Sequence, residues 1–165
     1  MHASSQCHVT PPVVAARMVG YLEALPSMMT LEPHAGTGNL IAALIDSGHE
    51  TLEICAIERE RELYNLTAKR FNWEICGFND CFLEYAARTP AGSFPRILMN
   101  PPFKGIKAHM DAAIRLLGPA GHDDAVLVAL VPVTYSHPQA VTLEVLDLDT
   151  FATARVNTKI IRIEK

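Results

Sequence analysis

The chain is short of positive charge. Its 14 Lys and Arg are outnumbered by 18 Asp and Glu, for a formal net charge of −4 and an isoelectric point near 5.9. That balance excludes a protein that coats nucleic acid by electrostatics alone. No apolar run approaches the ~20 residues needed to span a bilayer, so no membrane partner is expected. The opening Met1-His2-Ala3-Ser4-Ser5-Gln6 lacks a basic stretch followed by an apolar core. No secretory signal is read there, and the cytoplasm is the default location. The four cysteines show no Cys-x-x-Cys spacing, and none of the seven histidines is followed by another four residues on. No metal site is expected. Repeats, low-complexity tracts and linkers that would divide the chain are also missing. What is present is a globular composition, 49% hydrophobic and 19% charged over 165 residues. One domain over residues 1–165 can bury a proper core at that length.

Apolar periodicity orders the chain into alternating strands and helices. Val13 to Leu25 reads as a helix with Thr10 as its N-cap and Pro26 as its stop. Met28 to Leu31 reads as a strand, Asn39 to Ser47 as a helix closed by Gly48, and Leu52 to Ile57 as a second strand. Arg59 to Phe71 is expected to be helical, Trp73 to Cys76 and Pro95 to Met99 extended, and Lys107 to Leu117 helical up to Gly118-Pro119. Ala125 to Val133 is a nearly continuous apolar run, as in a strand buried on both faces. Residues 137 to 148 read as a short helix or loop. Phe151 to Val156 and Lys159 to Ile163 read as two antiparallel strands joined at Asn157-Thr158.

Chemistry-bearing residues fall at the carboxyl ends of these strands. After the first comes Glu32-Pro33-His34-Ala35-Gly36-Thr37-Gly38-Asn39. Gly36 and Gly38 let the backbone come close to a ligand, and the helix start that follows favours an anionic group. Glu58 ends the second strand, where an acid holds ribose hydroxyls in Rossmann-like folds. The dinucleotide fingerprint wants a third glycine at position 41, which is Ile41, so NAD is not expected. Asn100-Pro101-Pro102-Phe103 closes the fourth strand. Its prolines remove N–H groups and fix φ, leaving the Asn100 side-chain oxygen and the Pro101 carbonyl as acceptors for one –NH2 group. Phe103 offers a ring face. Lys104 and Lys107 read as a solvated helix start.

Together these motifs resemble the class I S-adenosylmethionine-dependent methyltransferases, in particular the N6-adenine DNA methyltransferase branch. The likeness runs from residue 10 to about 133. It implies a Rossmann-like α/β fold: a seven-stranded, mostly parallel sheet with an antiparallel C-terminal strand and helices on both faces. It implies S-adenosyl-L-methionine as cofactor, held by Glu32, His34, Gly36, Gly38 and Asn39, by Glu58, by Asp80 and Cys81 of Asn79-Asp80-Cys81-Phe82, and by Asn100. Thr10-Pro11 is similar to the segment that lies over the methionine end of the cofactor. Asn100, Pro101 and Phe103 take the catalytic roles. Two departures stand out: His34 occupies a position usually filled by a small residue, and no segment is long enough for a target-recognition domain. The resemblance implies transfer to an exocyclic amine, adenine N6 in DNA foremost, with RNA possible and a homodimer or partner subunit supplying recognition. The alternatives are RNA guanine N2, a protein glutamine amide, and a non-catalytic module that binds S-adenosylmethionine.

Overall fold

The computed structural model describes residues 8–151 and 157–165. Seven strands form one sheet: β1 (Thr30–Glu32), β2 (Ile54–Glu58), β3 (Cys76–Asn79), β4 (Arg96–Met99), β5 (Val126–Pro132), β6 (Val141–Leu146) and β7 (Thr158–Glu164). Their spatial order is β3-β2-β1-β4-β5-β7-β6. The pairs from β3 through β5 are parallel, and β7 runs antiparallel to both of its neighbours. Among the described residues the helices are α1 (Pro12–Leu22), α2 (Asn39–Asp46), α3 (Arg61–Arg70), α4 (Phe82–Arg88) and α5 (Ile106–Leu116).

Two apolar layers flank the sheet. Met18 and Leu22 of α1, Leu40 and Leu44 of α2 and Phe71 after α3 pack with Leu98, Val126, Val128 and Leu130 on one face. On the other face, Phe82 and Ala86 of α4 and Met110 and Leu116 of α5 meet Leu31, Ile57, Ile97 and Met99. Strands β4 and β5 are buried on both faces, which is why they read as unbroken apolar runs. The chain works outward from β1 to β3 and then returns to place β4 on the far side of β1. That reversal opens a crevice above the β1 and β4 carboxyl ends, where open α/β sheets bind ligands.

At the opposite end of β4, the buried Arg96 guanidinium donates to the carbonyls of Glu23, Pro95 and Asp124 and to Asp124 Oδ1 at 2.8 Å. It ties the residue after α1 to the sheet.

Several sequence expectations are corrected. Helix α1 stops at Leu22 because Glu23 turns left-handed (φ 51°), and its N-cap is Pro11, with no side-chain cap. Thr10 is therefore not the N-cap; its hydroxyl has another partner. The second strand begins at Ile54, since residues 51–53 form a 3-10 turn. Trp73 is not in a strand. Asn72 and Trp73 are left-handed, and Trp73 N–H closes back on the Ala68 carbonyl to end α3. The third strand is accordingly Cys76–Asn79. Residues 141–146 form strand β6, because β7 provides a pairing partner that no local pattern reveals. The expected strand Phe151 to Val156 lies, apart from Phe151, outside the described residues. The join at Asn157-Thr158 is not a hairpin turn, since Thr158 already pairs with Leu146 and Pro132 inside β7.

Leu98 is fully buried at the middle of β4. Leu98→Ala is expected to destabilise the fold by about 2–5 kcal/mol in urea denaturation, from lost burial plus the cavity left behind.

Candidate functional site

The crevice holds a cavity of about 300 Å³ whose walls come from five places in the sequence, Leu63 of α3 among them. Residues 8–10 form a strap across it. The end of β1 supplies Glu32, the loop after it His34 and Gly36, α2 supplies Asn39, and the turn after β4 supplies Asn100.

The strap is fixed by hydrogen bonds to both sides of the crevice. Asn100 Nδ2 donates to the His8 carbonyl at 2.6 Å and to Thr10 Oγ1 at 2.9 Å. Asn39 Nδ2 donates to the Thr10 carbonyl at 2.9 Å, while Arg70 donates to Asn39 Oδ1 at 3.1 Å. The amide of Asn100 is thus turned with both N–H groups engaged and its oxygen left as the acceptor. Pro101 is buried behind it and Phe103 is half-buried, its ring 5.4 Å from that of His8. His8 also approaches Phe151 at 5.7 Å.

The loop after β1 depends on its glycines. Gly36 and Gly38 have φ of +53° and +85°. A Cβ on Gly38 would come 2.7 Å from Phe71 Cε2, so neither the conformation nor the space suits a larger residue. Thr67 Oγ1 donates to the Gly36 carbonyl at 2.6 Å and pins the turn to α3.

Two acids stand beside this loop in different states of satisfaction. Glu58 receives N–H groups on both oxygens, from Gly36 and from Glu60, each at 2.7 Å. Glu32 is fully buried; His34 N–H reaches its Oε1 at 2.8 Å, and its Oε2 is buried with no hydrogen-bond partner among the described residues. Burial pushes the Glu32 carboxyl up to about 8, with the nearby Glu58 adding to the rise and the His34 N–H opposing it. Asp80 Oδ1 accepts from Cys81 N–H at 2.8 Å, and Oδ2 pairs with the largely exposed Arg88.

His34 carries a feature that the sequence does not announce. Its Nε2 lies 2.9 Å from Nδ1 of His109 on α5, and Phe82 packs edge-on at 5.2 Å. Burial holds the His34 imidazole well below its usual range, with the neighbouring His109 contributing. Burial also lowers His109.

The structure brings Thr10, Glu32, His34, Gly36, Asn39 and Asn100 together at the cavity wall. Glu58 joins through Gly36, and Gly38 shapes the loop from behind. Pro11 caps α1 and Pro101 backs the corner. Asp80 and Cys81 stand at the neighbouring β3 end, and Phe103 faces the strap. Sequence reasoning missed His8, Leu63, Arg88 and His109. Of these only His8 carried a signal, its closeness to Thr10.

A chemical test of cofactor fit is available in the orphaned Glu32 Oε2. A buried carboxyl oxygen with no donor costs about 1–3 kcal/mol, and an ammonium group supplies what it lacks. The amino-acid part of S-adenosylmethionine carries such a group, and Glu58 is a ready acceptor for hydroxyls. The residues present fit that cofactor.

The chain matches no protein-family model and no curated protein. Among solved structures its fold is similar to that of TrmN from Thermus thermophilus. The two share 17% identity with a TM-score of 0.70, over 92% of this chain and 48% of that one. It is similar to the 23S rRNA methyltransferase ErmE at 16% identity and TM-score 0.76, over 96% of this chain and 69% of that one. It is also similar to a dimethyladenosine transferase from Plasmodium falciparum at 16% identity and TM-score 0.73, over 96% of this chain and 63% of that one. The chain thus spans about half the length of TrmN and nearly two thirds of the Plasmodium enzyme. The fold is the Rossmann-like methyltransferase fold, as the sequence motifs imply.

Glu32 gives the site a pH signature. Its carboxyl is raised in the folded chain, so its contribution to stability is complete below its ordinary 4.5 and is lost as pH rises through about 8. The whole span corresponds to roughly 5 kcal/mol. Glu32→Gln is expected to gain stability over the parent as pH rises from 5 to 9, read as melting temperature against pH. Parallel curves for the two proteins would refute the assignment. The histidines work on the acid side: kept neutral when folded, they make stability fall as pH drops below about 6.5, where the unfolded chain takes up protons.

Proposed function

We propose that this protein is an S-adenosylmethionine-dependent methyltransferase acting on an exocyclic amino group of a nucleobase, with adenine N6 in DNA as the favoured acceptor. The observation that carries this reading is the fixed amide of Asn100. With its N–H groups held by His8 and Thr10, it offers only an oxygen to a substrate amine. Asn100 Oδ1 and the Pro101 carbonyl accept the two amine hydrogens. That arrangement aims the nitrogen lone pair out of the base plane and stabilises positive charge growing on the nitrogen. Phe103 provides the face on which the base rests, so a base in a duplex has to leave its stack to reach the corner.

The cofactor supplies an electrophilic sulfonium methyl group. Glu32 is the candidate partner for its ammonium, Glu58 for its ribose hydroxyls and Asp80 for its adenine. The strap of residues 8–10 walls the cavity beside Asn100. Similarity of fold to a 23S rRNA methyltransferase and a dimethyladenosine transferase supports an adenine acceptor and makes RNA the second reading. The acidic chain favours a dimer or a partner subunit for target recognition, since few cations are available to neutralise phosphates.

The test begins with S-adenosylhomocysteine, which is expected to bind and raise the melting temperature. Glu58→Ala should weaken that binding by about 1.5–3 kcal/mol in calorimetry, as hydrogen bonds to a charged group do. No heat of binding at millimolar ligand would rule the reading out. Transfer of tritiated methyl to adenine-containing DNA, RNA and protein then identifies the acceptor. Asn100→Ala should slow transfer by about 10²–10³, the cost of one preorganised polar group at the reacting atoms. Cofactor affinity should fall by far less, through loosening of the strap. A variant that keeps full activity on every acceptor would reduce Asn100 to a strap anchor.

A further inference from the structure

The hydrogen bond between His34 and His109 takes no part in the chemistry assigned above, yet it joins the two halves of the site. His34 belongs to the loop after β1 and lines the cavity. His109 lies one turn into α5, the helix that follows the Asn100–Phe103 corner. A third ring, Phe82, opens α4 two residues after Asp80. The ring centroids are 4.8 Å apart for His34 and His109, 5.2 Å for His34 and Phe82, and 6.1 Å for Phe82 and His109. The loop after β1 and the first turns of α4 and α5, each next to candidate cofactor or acceptor residues, therefore meet in one ring cluster.

Within that cluster the 2.9 Å Nε2–Nδ1 bond is the directional element. The other ring nitrogen of His34, Nδ1, is buried and has no hydrogen-bond partner among the described residues, so the bond to His109 is what orients the ring. The backbone on the α5 side is held loosely. Gly105 is left-handed (φ +75°) with no side chain to cap the helix. The Ile106 N–H to Phe103 and His109 N–H to Gly105 bonds are both 3.3 Å, at the long end for backbone pairs. His34 in turn is rooted in the site, its backbone N–H bonded to Glu32. A short side-chain bond thus joins the loop after β1 to the first turn of α5, where the two backbone bonds are long.

We propose that the His34–His109 pair is a positioning link through which an occupied cofactor cavity sets the acceptor corner, so that Asn100 to Phe103 and the start of α5 tighten once the cofactor is bound. This rests on the cofactor reading above. Neither histidine has to touch reacting atoms. The pair works because the cluster packs as a unit and the bond has one favoured geometry, so the two loops share their alternatives.

The test uses amide hydrogen exchange of the full chain, with and without saturating S-adenosylhomocysteine. His109→Asn places an amide group near the former Nδ1, able to donate or accept and so to keep a bond to His34. His109→Leu fills the space without a bond, and His109→Ser is too short to reach. In the parent and in His109→Asn, ligand should slow exchange across residues 103–109 by about fivefold or more. In His109→Leu and His109→Ser, slowing should be confined to residues 34–40, with ligand affinity within about threefold of the parent. A purely structural pair would change stability and leave this pattern intact. Parent-like slowing over 103–109 in either bond-deficient variant overturns the link. So does a parent that binds ligand with no slowing there. A parent that does not bind S-adenosylhomocysteine fails at the earlier step, and the cofactor reading falls along with the link.

Discussion

Two hydrogen bonds on one amide nitrogen decide what the crevice can do. An asparagine amide presents either an acceptor or a donor to a given point in space, depending on a half-turn about its last bond. At Asn100 the His8 carbonyl and Thr10 hydroxyl occupy the nitrogen, so the half-turn would put an oxygen against a carbonyl. In a residue only 9% exposed, that repulsion is weakly screened. The strap therefore serves two ends: it walls the cavity and sets the polarity of the corner. Phe103, resting near His8, brings the aromatic wall under the same control.

The crevice is also arranged around a lack of positive charge. Glu32 and Glu58 lie on adjacent strand ends, both buried, and the two histidines near them are kept neutral. Glu58 is satisfied by backbone N–H groups, whereas Glu32 holds one oxygen in reserve. A cationic ligand group would supply the donor that the orphaned oxygen lacks and favour the ionised form of Glu32. The same feature suits a cationic ligand group better than an anionic one.

Much of the site was legible because its signals are local. Gly36, Gly38 and the Asn-Pro-Pro-Phe corner are demands of backbone geometry, and each lies where a strand pattern stops. The sheet was legible for a related reason: buried parallel strands show as apolar runs. Strand β6 was not, because Val141–Leu146 becomes a strand only through pairing with β7, over a register interrupted between Thr142 and Glu144. Trp73 misled because an aromatic beside Ile75 suits a strand, while the left-handed pair Asn72 and Trp73 in fact terminates α3. Thr10 looked like a helix cap and is instead a partner for a side chain 90 positions away. His34 and His109, separated by 75 positions, could not be joined by any spacing rule.

Strand β4 carries a holding group at each extremity, and both act on the same helix. Asn100, just past one end, grips residues 8 and 10 ahead of α1; Arg96, at the other, grips the Glu23 carbonyl behind it. Helix α1 is consequently clamped to the centre of the sheet fore and aft, like a beam bolted at two points. It lies behind the strap, outside the cavity lining, as a fixed support and no hinged cover. Entry of a ligand then has to be accommodated by the strap residues themselves, or by the turns after β1 and β4, while the beam stays where it is.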